Sequence, residues 1–212
     1  NKANLLIKNL ADQTDNMQNS EKELKEKIDL IEKVQADEKK RNWATQGIAE
    51  VSTILRSEND STKLYDRITT YITEYLNANQ GGLFLVESDE YGENLILKLK
   101  SCYAYNRKKF VEKEIEPGQG LIGQAYLEKS SIYLKDVPND YASITSGLGE
   151  STPKEVLIVP LIVNEEVEGV YEFASFTKFE EHQIQFLEQL GESLAAFINV
   201  NRINEKTKFL LE

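Results

Sequence analysis

The segment 116–135, E-P-G-Q-G-L-I-G-Q-A-Y-L-E-K-S-S-I-Y-L-K, contains a formal G-x-G-x-x-G at Gly118, Gly120 and Gly123. What precedes the glycines decides what they mean. Residues 108–115, K-K-F-V-E-K-E-I, alternate apolar and charged side chains as a half-solvated antiparallel strand does, whereas the first strand of a dinucleotide-binding unit is a continuous buried apolar run. Glu114 and Glu116 put negative charge where a pyrophosphate would lie. The nearest downstream acids, Asp136 and Asp140, come early for a ribose carboxylate about 20 residues on. The fingerprint lacks its strand. Gly118 or Gly120 is expected to serve backbone geometry in the turn after Pro117, with positive φ, and not phosphate binding.

Residues 1–42 form a second kind of sequence, with no Gly, Pro or aromatic residue and a high content of Lys and Glu. Ala3, Leu10, Met17, Leu24 and Ile31 recur seven apart. Ile7 and Ile28 fill companion positions that Thr14, Glu21 and Gln35 interrupt. This is a coiled-coil helix with a weakened seam, and it needs a partner because a lone helix leaves its stripe wet. Two uses fit such a seam: a helix that changes register to signal, or a static dimerising stalk.

From Trp43 the pattern becomes globular. Ile48, Val51, Ile54 and Leu55 mark one helix face. After the S-E-N-D-S-T break, Leu64, Ile68, Tyr71, Ile72 and Tyr75 mark another. Strands are expected near 82–87, 94–104, 108–115, 131–135, 155–163 and 166–175, with a helix at about 120–129. A hairpin turn falls at Asp89 to Gly92, and Asn164-Glu165 joins the last two strands as tightly. The expected fold class is α+β, a six-stranded largely antiparallel sheet with helices on both faces, preceded by the coiled-coil helix. The last helix carries two apolar stripes, one of Ile184, Leu187, Leu194 and Ile198, the other of Phe186, Leu190 and Phe197. One stripe covers the sheet, and the other is expected to meet a symmetry-related helix.

Composition narrows the function. With 36 acidic against 25 basic residues and a formal net charge of −11, the chain opposes phosphate backbones, so no nucleic-acid partner is expected. The longest nearly unbroken apolar run, 156–163, is far short of the roughly 20 residues that span a bilayer. No signal peptide is visible, and the missing initiator Met suggests an excised piece of a longer chain. The single cysteine, Cys102, fits a reducing cytoplasm and lies in an alternating stretch with Leu95, Leu97 and Leu99, as a packed thiol would. The one histidine, His182, sits among Glu180, Glu181 and Gln183, and one imidazole cannot make a metal site. With no visible nucleophile and no metal or cofactor constellation, the chain is expected not to be an enzyme and to need no cofactor.

The runs P-G-Q-G-L-I-G-Q-A-Y, S-S-I-Y-L-K-D-V, V-P-L-I-V and V-E-G-V-Y-E-F-A-S, in that order and spacing, resemble the GAF domain of bacterial sensor proteins. The resemblance extends to W-A-T-Q-G-I-A-E-V-S-T-I-L-R at 43–56, similar to that family's leading helix, and to F-A-S-F-T-K-F-E-E-H-Q-I-Q-F at 173–186, similar to its last strand and closing helix. It implies a signalling helix over 1–42, a GAF domain over 43–200, and an exit helix from 201 to 212 leading to a kinase or other output domain. Phe176-Thr-Lys-Phe-Glu180-Glu181 approximates part of the cyclic-nucleotide motif of some members, but Ala174-Ser175 stands where those carry Asn-Lys. The region 138–153 has no cysteine for a bilin.

That region is long and rich in small residues, yet it spaces Tyr141, Ile144 and Leu148 at apolar intervals. A lid over a small, mostly apolar ligand would use these residues with hydrogen bonds from Tyr126, Thr145 or Ser146. Alternatively these side chains fill the space themselves. The expectation is a cytoplasmic sensory or relay module, with or without a small-molecule ligand, forming a parallel homodimer through Leu10, Met17, Leu24, Ile28, Ile31, Leu187, Leu194 and Ile198.

Overall fold

The computed structural model describes residues 2–58, 60–88, 94–104, 114–138, 144–146 and 149–211. The chain divides into two compact units, Asn1–Trp43 and Ala44–Glu212. The first unit consists of helix α1, which spans Lys2–Ser57 and so also contributes its last turns to the second unit. No Gly or Pro occurs in it before Gly47, so nothing in the sequence stops it earlier. On the first unit Leu10, Met17, Leu24, Ile28 and Ile31 are each 53–63% exposed, a continuous wet apolar stripe.

In the second unit, Asp60 caps α2 (Ser61–Tyr75), its carboxylate accepting from the backbone N–H groups of Thr62 and Lys63 at 3.0 and 3.2 Å. Strands β1 (Gln80–Ser88), β2 (Leu95–Ala104), β3 (Glu114–Ile115), β4 (Ile132–Lys135), β7 (Glu155–Val163) and β8 (Glu166–Ser175) form one sheet in the order β3-β2-β1-β8-β7-β4. Every pairing described in it is antiparallel. Helix α3 (Gly120–Glu128) follows β3, and α4 (Glu181–Leu211) follows β8. The rest of the strand expected at 108–115, and the turn expected at 89–92, lie outside the described residues. The turn at Asn164 and Glu165 has φ of 50° and 66°, the left-handed pair that matches the twist of a two-residue hairpin.

Side chains point alternately to the two faces of the strands, and both faces are buried along β7 and β8, which divides the core in two. Phe84, Val86, Val156, Ile158, Val170 and Ala174 face α3, where Ile122 and Ala125 close the layer. Leu83, Leu85, Leu157, Leu161, Tyr171 and Phe173 are buried on the opposite face, toward α2 and α4. There the Tyr171 hydroxyl lies 3.3 Å from Thr69 Oγ1 on α2. Helices therefore lie on both faces, as the mixed helix and strand periodicities require.

Leu187, Leu194 and Ile198 are only 3, 4 and 6% exposed within the single chain. This corrects their assignment to a dimer interface. The second stripe is also covered internally. Phe186 and Leu190 are buried, and Phe186 lies 5.7 Å, ring to ring, from Tyr75 of α2. Gly47 of α1 permits that approach, since a Cβ there would stand 2.6–2.8 Å from ring atoms of Tyr75 and Phe186. Within the chain α1 and α2 cover Phe186, while Phe197, the third residue of this stripe, is half-buried.

The glycine turn divides its labour. Gly118 (φ 86°) and Gly120 (φ 60°) adopt the left-handed region, while Gly123 is needed for contact. A Cβ on Gly123 would lie 2.5 Å from the Glu116 carbonyl oxygen and 2.7 Å from the Gly118 nitrogen. Gly120 faces open space, so Gly120→Ala should cost about 1 kcal/mol from backbone strain alone. Gly123→Ala should cost roughly 2–3 kcal/mol because backbone has to move. Urea unfolding of both variants checks the order, and an equal cost would contradict it.

Candidate functional site

Strand β7 opens with a charge where both neighbours are strands. Glu155 pairs across to Lys135 on β4 and Ser175 on β8, and is 8% exposed. A carboxylate so placed requires donors. Its Oε2 accepts the Tyr133 hydroxyl proton and the Phe179 backbone N–H, the latter at 2.6 Å. The Tyr133 oxygen also lies 3.2 Å from the Phe179 carbonyl, but one hydroxyl has one proton, and the charged acceptor takes it. The rings of Tyr133 and Phe179 meet edge to face at 6.4 Å, and Lys135 Nζ lies 5.1 Å over the Tyr133 ring.

This junction joins three segments: β4, which precedes the connection 136–154; β7, which follows it; and the start of α4. The neck of the connection is closed by Val137 N–H to the Lys154 carbonyl at 3.4 Å and Lys154 N–H to the Ser175 carbonyl at 2.9 Å. At the same end, Glu180 N–H donates to Gln183 Oε1 at 2.8 Å, and Gln183 Nε2 donates to the Leu76 carbonyl at 3.1 Å, tying α4 to the end of α2. Burial, followed by the Glu155 carboxylate, raises the Tyr133 pKa well above the ordinary phenol value. Tyr133 is thus a fixed donor, and Glu155 a fixed acceptor.

Tyr126 lies on α3, half-buried against the core layer of Val156 and Ile158. Ile144, Thr145 and Ser146 form strand β5, which pairs with β6 (Gly149–Ser151). The sequence reading took this region for a loop and missed the small hairpin. Tyr141 and Leu148 lie outside the described residues. Among the described residues no group of three or more His, Cys, Asp or Glu could hold a metal, and His182 is half-buried on α4.

A hollow of about 540 Å³ lies elsewhere, along the part of β7 that β4 does not reach, lined in part by Ser131, Pro160, Ile162, Glu188 and Glu192. Two features blunt this strand edge. Pro160 has no N–H to offer, and the Lys129 side chain runs along it to the Glu165 carbonyl. Tyr126 is not among the described residues that line the hollow. Sequence reasoning missed Glu155 and Tyr133, although a charge opening the run V-L-I-V-P-L-I-V was a signal that donors had to converge there.

An antiparallel six-stranded sheet with one helix on one face, the others opposite, and a closing helix tied to the neck of a long connection defines a small α+β module. The family model for the GAF domain matches residues 58–199, and the chain belongs to that family. Similar solved structures include the GAF domain of a phosphoenolpyruvate-protein phosphotransferase from Coxiella burnetii, at 19% identity and TM-score 0.61, covering 77% of this chain and 96% of that one. The A. aeolicus Nlh2 GAF domain in an inactive state is 17% identical with TM-score 0.61, covering 76% and 99%. A free methionine-R-sulfoxide reductase from Neisseria meningitidis in complex with its substrate is 19% identical with TM-score 0.60, covering 76% and 91%. A comparison with curated proteins finds no match.

The expectation that the chain is not an enzyme is overturned by the reductases, which carry catalysis on this fold. At these identities the likeness shows the fold alone. No helix among the described residues is long and apolar enough to cross a membrane.

Two outcomes follow from the junction. Tyr133→Phe leaves the Glu155 carboxylate one donor short and should lower stability by about 1–3 kcal/mol in urea unfolding. The second concerns alkaline pH. Burial first, then Tyr75 and Glu50, pushes Tyr71 up to about 12, and burial raises Tyr171 further. A raised phenol pKa stabilises the fold fully below the unfolded value of 10.0. Between about pH 10 and 12 the unfolded chain has released protons that the folded chain keeps, so stability falls through that window. Tyrosinate absorbance and circular dichroism should change together there, and titration of every tyrosine near pH 10 with the fold intact would contradict this.

Proposed function

We propose that the chain is a GAF signal-relay module that dimerises in parallel through α1 and carries a small-molecule signal to an output domain, as in a sensor histidine kinase. The observation that carries it is the Glu155 junction. Ordering or displacement of 138–152 acts on a neck whose Glu155 carboxylate holds the Phe179 backbone N–H, two residues ahead of α4. A ligand biases α4 only by its differential affinity for two arrangements, so a coupling of roughly 1–3 kcal/mol is expected. The seam Leu10, Met17, Leu24, Ile28 and Ile31 supports dimerisation, being wet on a lone chain and spaced for a second. A second reading, a relay without ligand, is favoured by Tyr126, which packs into the core layer under α3.

Hydrogen exchange with and without metabolite fractions, free methionine sulfoxide among them because reductases share the fold, tests the path. Protection arising in 144–151 together with altered exchange in 179–203 supports the ligand reading. A connection indifferent to every fraction supports the ligand-free relay, and a response that stops at the neck removes the proposed path. Turnover of the sulfoxide would be read in the same experiment by following its loss.

Light scattering tests the dimer. The parent chain is expected to have a dimeric mass at micromolar concentration, and Leu24→Glu should halve it while leaving the circular dichroism of the domain intact. A monomeric parent would remove this part of the proposal. Leu187→Glu should behave differently, lowering the stability of the domain itself by several kcal/mol, because it buries an unpaired charge against the sheet.

A further inference from the structure

The apolar packing of α4 ends before the described helix does. Leu187, Leu190, Leu194 and Ile198 are buried, but Val200 and Ile203 are 56 and 55% exposed. What holds the helix beyond Ile198 is polar. Glu168, on β8, is 1% exposed, and the partners of its carboxylate come from α4. Asn199 Nδ2 donates to Oε1, and Arg202 Nη2 donates to Oε1 at 2.9 Å. The same nitrogen lies 2.6 Å from Oε2, a charge contact that lacks hydrogen-bond geometry and leaves Oε2 with no other partner. The Glu168 carboxylate is thus compensated only while Asn199 and Arg202 face it.

We infer that Glu168, Asn199 and Arg202 form a clasp that sets the angular position of the exit end of α4 on the sheet. Successive residues of a helix are about 100° apart, so a turn of α4 by one residue removes both partners at once and strands a buried charge. Unlike a contact among aliphatic side chains, which slides, this one is held or lost. A hollow of about 240 Å³ beside it, lined in part by Tyr65, Lys100, Asn201 and Arg202, gives the guanidinium room to leave without a steric barrier. Glu168 and Arg202 are positioning residues. The clasp makes the end of α4 a two-setting element that a signal arriving through the sheet can release.

The inference rests on the relay reading for its purpose, and the two fail separately, since the exchange experiment above tests the path from the connection and not the clasp. Spin labels at Lys63→Cys on α2 and Asn204→Cys on α4, in a Cys102→Ser background and diluted with unlabelled chain, report the setting of α4 within one chain. The parent should show one narrow distance. Arg202→Met should broaden it or add a second, and should speed amide exchange after Ile198 on the order of tenfold while β7 and β8 remain protected. Should that variant fail to fold, Glu168→Met with Arg202→Met removes both charges and leaves none unpaired. The clasp predicts a folded chain with the broadened distance in that case too. A distance that stays narrow in either folded variant overturns the inference.

Discussion

Strands β8 and β7 are dry on both faces, and the other elements are arranged to keep them so. Along Glu155–Leu161 every residue is buried, and β8 is nearly as enclosed. A strand of this kind gains roughly 1.5–3 kcal/mol for each large apolar side chain it buries, but only if both faces find covers. α3 supplies one cover, and α2 and α4 supply the other, with Gly47 of α1 packed against Tyr75 of α2 and Phe186 of α4. Phe186, Tyr75 and Gly47 show how close that second cover is, with the place of one methyl group taken by aromatic rings.

Double burial also determines where polar groups can be tolerated. Asp66 is buried with Ser101 Oγ donating at 2.9 Å, Glu155 with Tyr133 and Phe179, and Glu168 with Asn199 and Arg202. The carboxylates of Asp66 and Glu168 each link a helix to the sheet, and that of Glu155 links β7 to β4 and to Phe179 just ahead of α4. Such links are poor sources of net stability but strong fixers of geometry. Two of the three engage α4, at its start and beyond its last buried apolar residue, so the helix that leaves the domain is located by charge at both ends of its apolar stripe.

The GAF fold occurs both in reductases and in the GAF domains of larger proteins. What distinguishes them is the chemistry of particular side chains on a shared scaffold. In this chain the described polar groups that converge most tightly, Tyr133 and Glu155, are already paired with each other and with backbone. The hairpin β5–β6 lies within the connection whose ends the neck joins.

Much of the architecture was legible in the sequence, since local backbone geometry marks strands at the alternation of Leu95, Leu97 and Leu99 and at the apolar run 156–163, and a helix at the spacing of Leu64, Ile68, Ile72 and Tyr75. The glycine turn was legible for the same local reason, as positive φ is a demand that one residue type meets cheaply. The heptad stripe of α1 likewise needed only spacing. Other features were not local. Leu187, Leu194 and Ile198 read as surface for a partner because an amphipathic pattern states that a face is covered and not by what. Only the folded chain shows that its own sheet and helices bury Phe186, Leu187, Leu190, Leu194 and Ile198. Glu155 and Tyr133 are 22 residues apart and Glu168 and Arg202 34, so no spacing rule couples them. The sequence by itself determined which faces had to be dry, through the hydrophobicity and order of its residues. Tertiary structure decided which charges were trapped in that dryness and which partners satisfy them, because compensation of a buried charge depends on distances that only packing creates.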